Sequence, residues 1–175
     1  VIYDPTTDED YTCFTRRDEL DDAGNGTCDD SFDDDLQMKA RESSSWSAST
    51  LRTLDSTFCV TTDHCSQQFL STGDEATVYH RGDQGGGSSA DDGIYVNWAT
   101  LASGAWTDHA TLKLPGSDST NDFPWISIAA DNVYVVAETI SGGDRDLEVW
   151  ACHGTSGWAS CDTAAEWTGP TTLTI

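Results

Sequence analysis

Asn121-Asp122-Phe123-Pro124-Trp125-Ile126-Ser127-Ile128-Ala129-Ala130-Asp131-Asn132-Val133-Tyr134-Val135-Val136-Ala137-Glu138 holds two short β-rich runs around an Ala-Asp-Asn break. The first run, 125–129, and the second, 133–137, read as strands. Asp and Asn tolerate the positive φ of a tight turn, so the break reads as a hairpin. Val-Tyr-Val-Val is nearly all β-branched or aromatic, which predicts a strand buried on both faces.

The hairpin has an earlier echo. Gln68-Phe69-Leu70-Ser71, Gly73-Asp74 and Ala76-Thr77-Val78-Tyr79 repeat the order of run, break and run. Each second run leads into a Gly-rich turn, His80 to Gly87 in one case and Ile140 to Asp144 in the other. A third run follows: Leu147-Glu148-Val149-Trp150-Ala151 matches Ile94-Tyr95-Val96-Asn97-Trp98 and Leu36-Gln37-Met38-Lys39-Ala40. Trp46, Trp106 and Trp158 come next, each flanked by small residues. A fourth run closes each unit at 50–54, 110–114 and 171–175.

Helical periodicity is absent, so the chain is expected to be all-β. It divides into three units, roughly 1–56, 57–115 and 116–175. The first is the least regular, with opening strands expected at 1–3 and 11–15. Four-stranded antiparallel units at this period predict β-propeller-type blades stacked face to face. Closed propellers have four to eight blades. Three blades therefore imply further blades outside this stretch, assembly of copies, or an open β-sandwich, and the first of these is the expectation.

Asp122-Phe123-Pro124-Trp125-Ile126-Ser127-Ile128, the Asp-Asn hairpin, and Gly-x-Trp after the third strand resemble the sialidase-like, Asp-box propeller family. The resemblance covers residues 57–175. It departs from the Ser-x-Asp-x-Gly-x-x-Trp box at its aspartate, which Ala102-Ser103-Gly104-Ala105-Trp106 and His153-Gly154-Thr155-Ser156-Gly157-Trp158 both lack. Sialidase chemistry would need three arginines around the substrate carboxylate, together with a Tyr nucleophile, its Glu partner and an acid/base Asp. The arginines are Arg16, Arg17, Arg41, Arg52, Arg81 and Arg145, and no Arg-Ile-Pro motif occurs.

The 175 residues carry 31 acidic and 8 basic groups, a formal charge of −23. That excludes generic binding to nucleic-acid phosphates, which needs clustered Lys and Arg. No apolar run is long enough to span a membrane as a helix. The absence of an initiator Met predicts a processed or partial product. The six cysteines form three near-neighbour pairs without zinc-like spacing. They are expected as disulfides Cys13–Cys28, Cys59–Cys65 and Cys152–Cys161, although six cysteines permit 15 connectivities. An oxidising compartment follows: secreted, periplasmic or cell-surface.

Chemistry-bearing motifs are sparse. Neither a Gly-x-Ser-x-Gly elbow nor a phosphate loop occurs. His64, His80, His109 and His153 fall at unrelated positions, with solvated or core-edge roles as their default. The densest polar stretch runs from Asp21 to Asp35. An EF-hand register starting at Asp21 fails at Ala23 and Phe32, which leaves a looser calcium candidate formed by Asp21, Asn25, Asp29 and Asp33 beside the plain reading of a solvated acidic loop. Asn25-Gly26-Thr27 is a glycosylation sequon, and Arg81-Gly82-Asp83 matches an integrin-binding tripeptide of the kind that arises by chance. Acidic residues recur before each third run: Asp33, Asp91 and Asp144, with Asp35, Asp92 and Asp146 close by. Turn capping is the expected role, and calcium the sharper alternative.

The sequence therefore predicts a disulfide-stapled, non-catalytic extracellular module that presents acidic loops to a protein or glycan partner, or to further blades or copies of itself. One alternative is a fragment of a sialidase-like glycoside hydrolase. Another is a structural subunit of a surface layer, filament or membrane-bound complex.

Overall fold

The computed structural model describes residues 2–4, 9–16, 35–42, 45–46, 52–55, 65–82, 92–102, 105–130, 132–141 and 143–173. Fourteen strands occur among them: β1 (Ile2–Asp4), β2 (Glu9–Arg16), β3 (Asp35–Glu42), β4 (Ser45–Trp46), β5 (Arg52–Asp55), β6 (Cys65–Phe69), β7 (Asp74–Arg81), β8 (Gly93–Ala102), β9 (Ala105–Lys113), β10 (Asn121–Ala129), β11 (Asn132–Ser141), β12 (Asp144–His153), β13 (Thr155–Trp158) and β14 (Trp167–Leu173). The only helical element among the described residues is a 3-10 turn at Ala164–Glu166.

The strands form three antiparallel sheets, each a meander in chain order. The first runs β1-β2-β3, with β4 and β5 both pairing β3; the second runs β6-β7-β8-β9; the third runs β10-β11-β12-β14. Each sheet lies within one of the three units read from the repeat.

The opening hairpin forms with Ala129 opposite Asn132. Ala130 in the turn takes a φ of 48°, and the Asn132 amide donates to the carbonyls of Ala129 and Ala130. The register slips between Asp122 and Trp125, where Phe123 takes a φ of 48° and Pro124 has no N–H to give the ladder.

The expectation that the Val-Tyr-Val-Val strand is buried on both faces is corrected. Val133, Val135 and Ala137 are buried, but Tyr134 is 39% exposed. The doubly buried strands are β7 and β8 of the middle sheet, which is packed on both sides. Ala76, Val78, Ile94, Val96 and Trp98 face the third sheet and meet Ile126, Val133, Val135 and Trp150. On the opposite face, Tyr79 and Tyr95 meet Tyr11, Met38 and Leu54 of the first sheet. Strand pattern did not reveal this, because β7 begins Asp-Glu-Ala-Thr and reads as half-polar.

The predicted local disulfides are also corrected in part. Cys152 joins Cys161, as their spacing suggested. Cys13 joins Cys65, with Cα atoms 6.2 Å apart, so neither Cys13–Cys28 nor Cys59–Cys65 forms. The reason is topological: β2 and β6 lie against each other although 52 residues separate the two sulfurs, so the bridge staples the first sheet to the second. Cys28 and Cys59 lie outside the described residues. No helix among the described residues is long and apolar enough to cross a membrane.

Candidate functional site

Two polar clusters sit where the sheets meet. The first lies between the first and second sheets, where β5 of one sheet brings Arg52 against β7 of the other. Glu75 is fully buried there, and Arg52 Nη1 donates to its Oε2 at 2.8 Å. Arg52 Nη2 contacts Asp108 Oδ1 at 2.6 Å and also donates to the side-chain carbonyl of Asn97. Gln67 donates to Glu75 Oε1 and to Thr77 Oγ1, each at 3.1 Å, and Thr77 donates its own hydroxyl to Glu75. The Arg52 guanidinium also lies over the Trp106 ring, 5.3 Å from its centroid.

Burial pushes the Glu75 carboxyl above the usual carboxylate range. The Arg52 charge and the hydrogen bonds from Thr77, Gln67 and Arg52 pull it back only in part. Arg52 Nε and Gln67 Oε1 are buried without a protein partner. Asp108 is the one carboxylate of this group that reaches solvent.

The second cluster ties the middle sheet to the β12–β14 connection of the third. Asp74 accepts from the hydroxyls of Thr100 (2.5 Å) and Thr72 (2.9 Å) and from the backbone N–H of Trp158 (3.1 Å). Thr100 Oγ1 lies 2.7 Å from His109 Nε2, and the His109 ring stacks on Trp158 with centroids 4.0 Å apart. The order Asp–Thr–His matters. The single hydroxyl proton of Thr100 goes to Asp74, so the histidine must be the donor to Thr100 and cannot take its proton. A nucleophile triad needs the histidine in the middle. Here the three residues brace one another.

Gly157 makes this joint possible. Its φ is +72°, and a Cβ there would stand 2.1 Å from Asp74 Oδ2. The tryptophan that recurs after the third strand is thus, at Gly157-Trp158, a backbone clasp on the neighbouring sheet.

The remaining sequence candidates do not converge. Among the arginines whose side chains are described, Arg52 is buried with Glu75, Arg81 lies over Tyr95, and Arg145 pairs with Glu138 on the far sheet. His80 stands 3.7 Å from Asp122, while His153 bonds Asn132 at 2.6 Å. Burial holds the His80 imidazole below its ordinary range, against the raising influence of Asp122 and Asp92. Of the acidic residues before the third strands, Asp92 is buried, Asp146 half-buried and Asp144 exposed, while Asp33 and Asp91 lie outside the described residues. Asp21, Asn25, Asp29 and Asp33, with the sequon at Asn25, lie outside the described residues. Among the described residues no group of three or more His, Cys, Asp or Glu is placed to hold a metal.

Sequence reasoning missed Glu75 and Arg52 as partners. The available signal was weak: a Glu inside a strand run, in a chain with only seven Glu among 31 acidic residues. Comparison with known proteins finds no matching family model and no matching curated protein.

Proposed function

We propose that the chain is a non-catalytic binding and assembly module of β-propeller type, secreted or displayed on the cell exterior, which presents its acidic loops and sheet edges to a protein or glycan. The observation that carries this is the way the sheets meet. They stack face to face, and their opening strands also touch: Ile126 N–H and Ile128 N–H of β10 donate to Ser66 Oγ (3.3 Å) and Gln68 Oε1 (2.8 Å) of β6. Opening strands drawn together while the sheets stack supports reading the sheets as neighbouring blades about a common axis.

The polar clusters favour binding over catalysis. Glu75, Arg52 and Asp74 are engaged by protein groups of their own and the neighbouring sheet, and Glu75 and Asp74 are buried. The two disulfides among the described residues suit an oxidising compartment. With a formal charge of −23, a basic protein surface or a neutral glycan is the partner chemistry most compatible with the exterior.

The test is a glycan-array and basic-protein binding screen run beside fluorogenic sialoside and other glycoside substrates. Saturable binding without turnover is expected. Turnover of any glycoside, abolished when Asp108 is changed to Asn, would replace this proposal with the hydrolase alternative.

A further inference from the structure

The middle sheet shows what a covered face of this repeat looks like. With the third strands matched as Ile94–Trp98 to Leu147–Ala151, the register makes Val78 opposite Val96 equivalent to Val136 opposite Val149. Tyr134, not Val133, then takes the place of Ala76, one residue away from the match made on sequence alone. In the middle sheet the positions Ala76, Val78, Ile94, Val96 and Trp98 are all 0% exposed, because the third sheet lies on them. Their equivalents in the third sheet, Tyr134, Val136, Leu147, Val149 and Ala151, are exposed or half-exposed.

The neighbouring strands extend the same surface. Trp125 is opposite Val136 and 59% exposed; Leu173 is opposite Leu147 and 50% exposed. Size is exchanged across one pair: Ala76 faces Trp98 in the middle sheet, and Tyr134 faces Ala151 in the third. The face is apolar at a repeat position built for burial.

We propose that this outer face of the third sheet is a self-association surface, occupied by the same face of a second copy of the chain about a two-fold axis. Its charge argues for a copy over a basic partner. The described charged groups here are Glu138 and Arg145, joined at 2.6 Å, and Asp122, which lies beside His80. In a chain of charge −23 the few described charges on this face let two copies meet there with little repulsion, and an isologous contact needs only one self-complementary patch. Its extent sets the strength. The β11–β12 ladder runs from Asn132 opposite His153 to Ser141 opposite Asp144. At about 3.3 Å per residue and 4.8 Å per strand, the four-stranded footprint is on the order of 500 Å². That is below the roughly 800 Å² per partner of a standard interface, so the dimer is reversible.

This shares with the proposed function only the stacking of sheets, and self-association is read without any other ligand, so the two can fail separately. Sedimentation velocity of the purified chain over a concentration series should show a monomer–dimer equilibrium with a Kd of roughly 10–100 µM. Added salt should tighten it by screening the mutual repulsion. Tyr134→Lys and, separately, Val149→Lys should each weaken it at least tenfold, with circular dichroism reporting whether each variant is folded. Tyr134 is already 39% exposed, so its variant tests the contact even where the Val149 change disturbs the sheet. A strictly monomeric chain at about 200 µM in high salt would overturn the proposal, as would a dimer that a folded Tyr134→Lys variant leaves unchanged.

Discussion

Arg52 of the first sheet and Glu75 of the second form an ion pair at 2.8 Å in which both side chains are almost wholly withdrawn from water. Removing one partner of such a pair strands the other charge in a low-dielectric site. Arg52→Met should therefore cost about 3–5 kcal/mol, and Arg52→Met with Glu75→Leu should recover most of it, because an apolar replacement of both ends carries no desolvation cost. Urea unfolding at neutral pH measures both. A loss below about 1 kcal/mol in the single variant would mean that the pair is solvated.

Glu75 also imposes a pH dependence of definite sign. Its carboxyl is held above the usual range by burial, so between the unfolded and folded pKa values the folded state keeps a proton that the unfolded chain has released, and above them the ion pair with Arg52 is charged at both ends. Its stabilising contribution is present at acid pH and lost as pH rises through the folded-state pKa. The melting temperature of the wild type relative to Glu75→Gln should fall steadily from pH 4 towards neutrality. A flat difference would contradict the raised pKa.

His80 acts in the opposite direction. Burial depresses its pKa, so between the folded and unfolded values the unfolded chain binds the extra proton and stability rises with pH. Between about pH 7 and 5 the wild type should lose more stability than His80→Gln. The Asp122 and Asp92 carboxylates oppose the shift, so Asp122→Asn should deepen the loss.

The Cys13–Cys65 bridge can be read by peptide mapping. Cleavage before aspartates isolates residues 10–17 and 63–73, which carry Cys13 and Cys65 apart from Cys28 and Cys59. Under non-reducing conditions these two peptides should emerge joined. Replacing both cysteines by Ser should cost about 4 kcal/mol on the loop-entropy account, because the bridge closes a loop with a sequence separation of 52. Recovery of a 10–17 peptide joined to one containing Cys28 would reverse the correction made to the local pairing.

How far the primary structure spoke for itself depended on the range of the interaction. The hairpin at 129–132, the all-β antiparallel character of the sheets and the Cys152–Cys161 loop are local, set by turn residues, β-branched runs and short spacing, and all were visible in the chain. Tryptophans recurring after the third strands were visible too, but not that the Trp158 N–H would clasp Asp74, 84 positions away. Which sheet lies in the middle, why Glu75 is buried while Tyr134 is half in solvent, and why Cys13 reaches past its near neighbour to Cys65 were decided by how the sheets stack. Each of those outcomes depends on a surface donated by a distant part of the chain, and a strand's own residues do not record what will be laid against it.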